Sequence, residues 1–439
     1  MKDYNETLQY LFNLQRLGIN LNLARISRVL HLLDNPHNSL MAVHIAGTNG
    51  KGSVAAIMDS ILRVSGYKTG LYTSPHLYDL RERIRINGNM ISEEMTVKIT
   101  ERIREIVGAG LAPALLNEEL TFFEFITVMA FIYLAEEGVD IAIVETGMGG
   151  RLDATNVLST PLISVITDID YDHTDFLGNT MREIAREKGG IIKEKGVVVT
   201  TLQHPEVISE IESICKERNA GLIILGRDFY IDIIRSDDKG NIFNLKSNNN
   251  LLCDLRIPLI GVHQIINAGV AVEVCLRLRG LGFDITDEGI KEGLDKVEWK
   301  GRMEIISESP YILLDGAHNR AGTKALVKTL PYFRYKRLFI VIGILKDKDI
   351  AGMIETLVPI ADHVTLVRPD VPRGADPKIL KDMASIFSKE TVIIEDIPSA
   401  LQKVREKIDK DDMILITGSL FTVAEARREL VDSTQGLMP

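Results

Sequence analysis

A glycine-rich turn followed by a lysine is the first group in this chain whose residue types and spacing could do chemistry. The turn spans 47–53, Gly-Thr-Asn-Gly-Lys-Gly-Ser, and follows an apolar run at 41–46 that predicts a buried strand. Apolar residues then recur at helical spacing from Val54. A strand, a turn and a helix in this order cradle phosphate, because the turn amides and the open helix end point at the anion and Lys51 adds a positive charge.

The turn departs from the common P-loop pattern at two positions. Ile45 stands where that pattern has its first glycine, and Gly52 stands where it has a hydroxyl residue, which comes one position later as Ser53. The alternative to phosphate binding is a glycine turn that carries a surface lysine. The flanking strand and helix favour the phosphate site.

Carboxylates follow two further apolar runs. Glu145 ends the run 139–145, and the run 161–167 is followed by Asp168, Asp170, Asp172 and His173. In open parallel sheets, ligands bind beyond the carboxyl ends of the strands. We therefore expect Glu145 to bind Mg²⁺ or to position water, and His173 to bind a metal within its acidic cluster. The alternatives are a strand-end charge that faces solvent for Glu145 and a purely structural role for His173.

Three arginines alternate in the segment 74–88, which follows a second predicted strand at 70–73. On a strand, Arg81, Arg83 and Arg85 would point one way and could hold an anionic substrate. The alternative is the solvated face of a surface strand.

The elements that must position these residues indicate more than one domain, as the 439-residue length also does. Strands alternate with helix-length segments up to about residue 225, and alternating apolar residues with turn signals at 228–260 predict a small antiparallel sheet. From Met303, strands predicted at 311–315, 338–343, 363–367, 391–395 and 412–417 indicate an α/β unit with a mainly parallel sheet. We predict a first domain, which carries the phosphate turn, at 1–297, a linker at 298–302 and a second domain at 303–439.

Composition excludes several classes of protein. The net charge of −10 argues against non-specific nucleic-acid binding through a broad basic surface. The longest apolar runs are too short to span a bilayer. The three cysteines show no metal-binding spacing, and without a signal peptide they indicate reduced core thiols of a cytoplasmic protein.

Together these segments resemble folylpolyglutamate synthase/dihydrofolate synthase, a branch of the Mur ligase family. The segments that carry the resemblance follow the family's order over nearly the whole chain: 47–53, 73–77, 81–88, 120–124, 145–156, 168–173, 187–193, 261–268, 301–304, 314–319 and 417–421. The altered P-loop is this branch's own form. The chain departs from the family at Gly189-Gly190, where Ala-Gly is usual, a change that alters little.

The resemblance implies an N-terminal P-loop-type ATPase domain with a parallel sheet and a small antiparallel sheet, and a C-terminal Rossmann-like α/β domain. Lys51 and the turn would bind the ATP phosphates, Asn267 the adenine and Arg302 the phosphates, while Asp315 and His318 would close over the nucleotide from the second domain. The implied ATP-binding residues are Gly47, Thr48, Asn49, Gly50, Lys51, Gly52, Ser53, Asn267, Arg302, Asp315 and His318.

The resemblance also implies two Mg²⁺ sites. Ser74 and Glu145 match the first, and His173 matches the second, which a carbamylated Lys188 would share. The implied catalytic residues are Lys51, Glu145, His173 and Lys188. The implied folate-binding residues are Pro75, His76, Arg81, Arg83, Thr121, Phe122, Asp153 and Ala154.

The activity implied is ATP-dependent addition of L-glutamate to the carboxylate of reduced folates through an acyl phosphate, in one-carbon metabolism. The implied partners are ATP, L-glutamate and a reduced folate or dihydropteroate, with no nucleic acid and no membrane. The enzyme itself is expected to be a monomer in the cytoplasm. The sequence does not decide whether the enzyme performs polyglutamylation alone, dihydrofolate synthesis alone or both. The segments 120–124 and Asp153-Ala154 are compatible with a dihydropteroate pocket and therefore favour both activities.

Two rival functions fit less well. A Mur-type ligase that acts on a cell-wall nucleotide precursor usually carries a separate N-terminal domain, whereas here the phosphate turn begins after about forty residues. A GTPase-type switch is suggested by Asp-x-x-Gly at 175–178. The chain, however, has no Asn-Lys-x-Asp segment to recognise guanine.

Overall fold

Short apolar strands organise most of the chain, and the computed structural model describes residues 3–108, 119–248, 250–387 and 390–435. Parallel strands that are covered by helices on both faces must be apolar at every position, and Ala42–Ala46 is buried throughout. The strands of the first sheet are β1 (Ala42–Ala46), β2 (Thr69–Tyr72), β3 (Ile84–Ile86), β4 (Asn89–Met90), β5 (Ile141–Glu145), β6 (Ile163–Ile166), β7 (Val197–Thr200) and β8 (Gly221–Ile224).

Helices cover both faces of this sheet. Those described are α1 (Tyr4–Asn13), α2 (Ala24–Leu32), α3 (Lys51–Val64), α4 (Glu93–Gly108), α5 (Phe122–Glu136), α6 (Thr174–Leu177), α7 (Met181–Gly189), α8 (Pro205–Glu217), α9 (Val262–Gly280) and α10 (Asp287–Asp295). The apolar side chains of α3 and α9 form one core layer with Val43 and Ile45 of β1. Those of α1, α2, α4 and α5 form the layer on the other face.

The strand order of the first sheet is β4-β3-β2-β5-β1-β6-β7-β8, and only β3 and β4 run antiparallel to their neighbours. β1 lies between β5 and β6, so Ile45 pairs with Glu145 and Ala46 pairs with Ile166. The carboxyl ends of these three strands therefore meet at one edge. The turn after β1, the carboxylate of Glu145 and the acidic segment after β6 all start from that edge.

A small antiparallel sheet follows, as the sequence predicts for 228–260. It consists of β9 (Phe229–Asp237), β10 (Gly240–Ser247) and β11 (Asn250–Ile257). Phe243, Leu245, Leu252 and Leu255 pack into the core layer of α3 and α9. This sheet therefore fixes α9 against the phosphate turn.

The second large sheet lies in the C-terminal part of the chain. Its strands are β12 (Glu304–Glu308), β13 (Tyr311–Leu314), β14 (Leu338–Ile342), β15 (His363–Leu366), β16 (Thr391–Ile393) and β17 (Met413–Thr417). The helices described beside it are α11 (Arg320–Thr329), α12 (Ile350–Leu357), α13 (Pro377–Ala384), α14 (Ile397–Arg405) and α15 (Leu420–Gln435). The order is β12-β13-β17-β14-β15-β16, in which β12 alone runs antiparallel to its neighbour. Because β13 and β17 are parallel neighbours, their carboxyl ends share one edge.

The segment between α10 and β12 contacts both sheets. The indole of Trp299 lies against the first turn of α3, where a Cβ on Gly52 would stand 3.0 Å from its Cζ2 atom. The N–H of Gly316, after β13, donates to the carbonyl of Gly301 at 2.9 Å. This connection therefore contacts the start of the phosphate helix as well as the second sheet.

Several sequence predictions need correction. The helix predicted from Ser53 begins at Lys51, and the antiparallel strand β12 precedes the first strand predicted for the C-terminal sheet. Cys215 and Cys275 are buried, but Cys253 on β11 is exposed, so it is not a core thiol. Helices α4 and α5 lie on either side of 109–118, which is outside the described residues. No described helix has both the length and the apolar character that crossing a membrane requires.

Candidate active site

At two positions of the turn between β1 and α3, the backbone lies so close to neighbouring residues that only glycine fits. A Cβ on Gly47 would stand 1.8 Å from the hydroxyl oxygen of Thr167. Gly50 has a φ of 88°, and a Cβ there would stand 2.4 Å from Oδ1 of Asn267. Larger residues would be strained at both positions. The turn is therefore packed against both β6 and α9, and Asn267 lies beside it.

Backbone hydrogen bonds connect the turn to the segment after β6 and use two of its N–H groups. The N–H groups of Thr48 and Asn49 donate to the carbonyl of Asp168 at 2.7 and 3.2 Å. Val54 makes the first intrahelical bond of α3, to Gly50, so the N–H groups of 51–53 point out of the helix end. These donors lie at the positive end of the helix dipole and can bind a phosphate.

Two lysines meet at the carbonyl of Gly47. Lys51 Nζ donates to it at 3.1 Å and to the carbonyl of Thr48 at 3.3 Å. Lys188 on α7 is 4 % exposed and donates to the same Gly47 oxygen at 2.7 Å. Burial, assisted by Lys51, lowers the pKa of Lys188 to about 7. Two amines from distant parts of the chain therefore lie beside the predicted phosphate site.

Glu145 lies at the end of β5 with 4 % of its surface exposed. Its Oε2 atom accepts a hydrogen bond from the N–H of Ser74 at 2.9 Å. Burial raises the pKa of Glu145, while Lys51 and the Ser74 N–H act in the opposite direction. The structure thus brings Ser74, Glu145 and Lys51 together, as the sequence predicts.

The acidic segment after β6 wraps the other side of the turn. The Thr48 hydroxyl donates to the carbonyl of Asp170 at 3.0 Å, and burial raises the pKa of Asp168. His173 has a φ of 52°. Burial lowers the pKa of His173 to about 4, which leaves a neutral imidazole. A neutral ring nitrogen is the form that binds a metal.

The residues present fit a nucleotide-bound Mg²⁺ rather than a metal held by protein alone. Across the described ranges, no three His, Cys, Asp or Glu side chains gather into a metal-binding cluster. Mg²⁺ in phosphate-transfer sites commonly takes one or two carboxylates and completes its shell with phosphate and water oxygens. Glu145 engages Ser74 through one carboxylate oxygen only. Its second oxygen is therefore a suitable ligand.

The C-terminal part of the chain contacts this site directly. The Asn319 amide donates to Oδ1 of Asn49 in the turn at 2.9 Å and to Asp172 at 3.4 Å. Lys348 Nζ donates to Asp172 Oδ1 at 2.7 Å and lies 3.4 Å from Nε2 of His173. His318 Nε2 lies 3.7 Å from Asp172. Three side chains of the C-terminal part thus lie around the carboxylate of Asp172 in the N-terminal part.

Charge complementarity accounts for this convergence on Asp172. The side chains of Asp172 and Lys348 are 8 % and 6 % exposed. Burial alone would raise the pKa of Asp172, but the neighbouring His173 and Lys348 hold it below its usual range. A buried ion pair of this kind is strong only while both partners are present. The pair therefore links the two parts of the chain across the site.

Asp315, which is predicted to close over the nucleotide, lies close to the segment that joins the two sheets. Its carboxylate accepts from the N–H groups of Met303 and Ala317 at 3.0 and 2.9 Å. Gly316 lies against Arg302, where a Cβ would stand 2.7 Å from a guanidinium nitrogen. Arg302 is also close enough to Glu145 to oppose the rise in its pKa. Asp315 thus fixes the backbone beside Arg302, which is directed toward the site.

Arg83, His76 and Phe122 form a second cluster beside the first. Arg83 is 8 % exposed, and its Nε donates to His76 Nδ1 at 2.8 Å. Its guanidinium lies 5.3 Å from the centre of the Phe122 ring. Burial lowers the pKa of His76 to about 3, so the imidazole is neutral and accepts this hydrogen bond. The cluster therefore presents a buried cation on an aromatic surface.

The prediction that three arginines point one way is wrong. Residues Leu80–Arg83 form a 3₁₀ turn, so strand alternation begins only at Ile84. Arg81 is held by Asp79 and lies over Tyr4. Arg85 pairs with Leu71 of β2, which faces the opposite core layer. Only Arg83 joins the cluster, so the structure does not bring Arg81 to the remaining folate-binding candidates.

The other folate-binding candidates have structural partners of their own. Thr121 caps α5, with its hydroxyl bonded to Glu124. Asp153 caps the 3₁₀ turn Ala154–Val157 and is 4 % exposed. Phe123, next to Phe122, lies against Gly147, and Pro75 is exposed beside Ser74. The contact of Phe123 with Gly147 brings the start of α5 next to the loop that follows Glu145.

Sequence reasoning missed Lys348 and Asn319 as site residues and did not identify Asp172 as the point of contact. Lys348 does follow the predicted strand 338–343, so its strand-end position was a usable signal. Its partner, however, is 176 residues away in sequence, and that pairing leaves no local pattern.

Two known families match this chain. The Mur ligase middle domain matches residues 45–275, and the Mur ligase glutamate ligase domain matches residues 301–420. A Bacillus subtilis dihydrofolate synthase/folylpolyglutamate synthase is 35 % identical over 97 % of this chain and 99 % of that protein. A Haloferax volcanii protein, a "probable bifunctional folylpolyglutamate synthase/dihydropteroate synthase", is also 35 % identical, but the chain spans only 50 % of its length.

Solved structures give the same result. Mycobacterium tuberculosis folylpolyglutamate synthase complexed with ADP matches with a TM-score of 0.90 at 32 % identity, over 98 % of this chain and 99 % of that one. Escherichia coli FolC in complex with DHPP and ADP matches with a TM-score of 0.87 at 31 % identity, over 99 % of each chain.

Proposed function

Because the chain belongs to the folylpolyglutamate synthase/dihydrofolate synthase branch of the Mur ligase family, we propose that it joins L-glutamate to a folate-type carboxylate using ATP. The observation that carries the proposal is the convergence of Lys51, Lys188 and Glu145 on a phosphate turn that Asn319 covers from the C-terminal part.

The reaction needs an activated carboxylate, because a carboxylate does not condense with an amine in water. The γ-phosphoryl group of ATP passes to a carboxylate oxygen of the substrate, and ADP leaves. The α-amine of L-glutamate then attacks the acyl carbon, loses a proton and displaces phosphate, so the products are an amide, ADP and phosphate. The protein must position three substrates, stabilise charge and exclude water.

The described residues suit these tasks. Lys51 and the N–H groups of 51–53 face the phosphates, and Arg302 adds positive charge from the connecting segment. The Asp172–Lys348 pair closes the C-terminal part over the site and thereby keeps water from the acyl phosphate. Ser74, Glu145 and His173 would hold Mg²⁺, which neutralises phosphate charge when bound.

The domain division is part of the proposal. An ATP-binding domain at 1–297 and a glutamate-ligase domain at 303–439 would close about the linker 298–302. In support of a junction there, Gly316 hydrogen-bonds Gly301 and Trp299 contacts Gly52. We further propose that the enzyme acts as a monomer in the cytoplasm, which light scattering and cell fractionation would test.

The experiment that tests the function is glutamate-dependent release of phosphate from ATP and Mg²⁺, with tetrahydrofolate and with dihydropteroate in parallel. We expect turnover with both, since the B. subtilis relative carries both names and the E. coli structure holds DHPP. Activity with one substrate alone would restrict the assignment to one synthase. Activity only with a cell-wall nucleotide precursor, or with GTP in place of ATP, would contradict it.

Carbamylation of Lys188 is a finer proposal. A neutral amine attacks CO₂, and the pKa of Lys188, lowered to about 7 by burial, leaves much of this amine neutral near neutral pH. The product would be a carboxylate close to His173. ¹³C NMR of protein equilibrated with ¹³C-bicarbonate should show a carbamate signal that Lys188→Ala removes. Persistence of the same signal in that variant would contradict the proposal.

A further inference from the structure

A buried chain of hydrogen bonds connects the middle of the eight-stranded sheet to the loop that follows Glu145. It runs from His44 on β1 through Thr155 to Asp153, and these residues are 0 %, 0 % and 4 % exposed. His44 Nε2 lies 2.8 Å from the Thr155 hydroxyl, which lies 2.5 Å from Asp153 Oδ1. The contact between His44 and Thr155 joins residues 111 positions apart in sequence.

The direction of each hydrogen bond follows from the donors around Asp153. The N–H of Thr155 donates to Oδ1 at 3.0 Å, and the N–H of Met148 donates to Oδ2 at 2.8 Å. Both oxygens therefore act as acceptors, which favours the ionised carboxylate, although burial raises the pKa of Asp153. The single Thr155 hydroxyl proton then goes to Asp153. The Thr155 oxygen must in turn accept from Nε2–H of His44.

Core packing alone does not explain a histidine at this position. Its neighbours on β1, Val43 and Ile45, are apolar and fully buried. Nδ1 of His44 has no hydrogen-bond partner among the described residues, and an unpaired buried polar atom costs stability. Burial also lowers the pKa of His44 to about 3, so the ring carries no charge. An aliphatic residue would fill the strand without this cost.

The loop that the chain of bonds fixes lies between two parts of the site. It leaves β5 directly after Glu145, and Gly147 within it lies so close to Phe123 that a Cβ would stand 2.5 Å from the ring. Asp153 closes the loop through its bond to Met148. A shift of Asp153 would therefore move the backbone next to both Glu145 and Phe123.

We propose that His44 and Thr155 are positioning residues, which act through Asp153 to hold the 147–153 loop as one wall of the pteridine site. The inference rests on the proposed function and on the folate-binding residues that the family resemblance implies, among them Phe122, Asp153 and Ala154. Neither residue needs to touch that ring. Their role is to set the geometry of the wall.

Four variants in matched pairs test the proposal. Thr155→Val and His44→Leu each remove one donor from the hydrogen-bonded series His44–Thr155–Asp153, while the volume of the side chain changes little. Thr155→Ser keeps the hydroxyl, and His44→Gln keeps an N–H donor near the position of Nε2. KM for dihydropteroate and tetrahydrofolate, KM for ATP, kcat and the thermal midpoint are measured for each full-length variant.

We expect Thr155→Val and His44→Leu to raise KM for the pteridine substrate about tenfold. Thr155→Val removes the hydroxyl that donates to the Asp153 carboxylate, and His44→Leu removes the N–H that donates to this hydroxyl. KM for ATP and kcat should stay within about twofold of wild type, and Thr155→Ser and His44→Gln should behave like wild type. An unchanged pteridine KM would overturn the proposal. A parallel loss in every parameter, which the conservative variants do not rescue, would also overturn it, because a structural role alone would give that result.

NMR supplies a readout that does not depend on turnover. In ¹⁵N-histidine-labelled protein, Nε2 of His44 should carry the proton and Nδ1 should have the shift of an unprotonated nitrogen. The opposite tautomer would overturn the assigned bond directions. Phe122→Ala tests the proposed site itself. If that variant leaves the pteridine KM unchanged, the location of the site fails, whereas failure of the His44 and Thr155 variants alone affects only the present inference.

Discussion

Lys51 is the residue on which phosphate binding should depend most strongly. Its ammonium group lies on the turn, bonded only to the backbone of Gly47 and Thr48 in the part of the chain that the structure describes. We expect Lys51→Ala to lower kcat about 100-fold or more, since it removes a cation that stabilises transferred phosphate. The fold should persist, because the hydrogen bonds of the Lys51 side chain go to two backbone carbonyls and not to a buried carboxylate. Lys246→Ala, at an exposed position, is the control, and a folded Lys51→Ala with near-normal turnover would contradict the proposed site.

His44 predicts a pH dependence of stability. Its pKa is about 3 in the folded protein and about 6.5 when unfolded, so between these values the unfolded state binds more protons. Stability is therefore full above about pH 6.5 and falls as the pH drops toward 3, by about 2–3 kcal/mol at pH 4.5. Urea unfolding at pH 7 and pH 4.5 should show a smaller loss for His44→Gln than for wild type. Equal losses would show that His44 titrates normally in the folded state.

At the residue scale, chain order predicted much of the site. The turn at 47–53, Glu145 and Asp168 each follow a strand end, and parallel strands bring such ends together. The partners of His44 and Lys348 could not be assigned from local sequence, because they come from distant segments. The alternation of Arg81, Arg83 and Arg85 gave a wrong prediction of their common direction. Arg81 and Arg83 lie in a 3₁₀ turn just before β3, where side chains do not alternate as they do on a strand.

Among the elements, α5 depends on a capping box. The Thr121 hydroxyl accepts from the N–H of Glu124, and the Glu124 carboxylate accepts from the N–H of Thr121 and from Arg25. We expect Thr121→Ala to lower the free energy of unfolding by about 1 kcal/mol, whereas Thr121→Ser should lower it much less. Chemical denaturation would measure both. If the Ala and Ser variants were equally stable, the cap would contribute nothing.

The sequence predicted the type of most elements because the hydrophobic pattern of each one agrees with its burial. β1 and β5 are apolar at nearly every position, as buried parallel strands must be. Strand β12 was not predicted. Its residues are only partly buried, and only two residues connect it to β13. A half-buried edge strand has a weak pattern, which explains why it was missed.

For the whole molecule, closure should depend on the Asp172–Lys348 pair. Lys348→Met leaves Asp172 buried without its cation, which disfavours the closed state. We expect kcat/KM for glutamate to fall at least about tenfold, and the radius of gyration of the nucleotide-bound protein in X-ray scattering to increase. The matched variant Lys346→Met changes a nearby lysine that bonds only to the carbonyl of Pro372 among the described residues.

A double-mutant cycle separates closure from other effects of these variants. Asp172→Asn, Lys348→Met and the combined variant should show a coupling of about 1–3 kcal/mol in kcat/KM. Effects that simply add would mean that the two side chains act independently and that another contact closes the site.

The position of Trp299 has a practical consequence. It is the only tryptophan in the chain, and its indole touches the first turn of α3 from the segment that joins the two sheets. Indole emission changes with the polarity and motion of its surroundings. The unlabelled protein therefore carries a built-in fluorophore at this junction, and its spectrum should respond when ADP is titrated in.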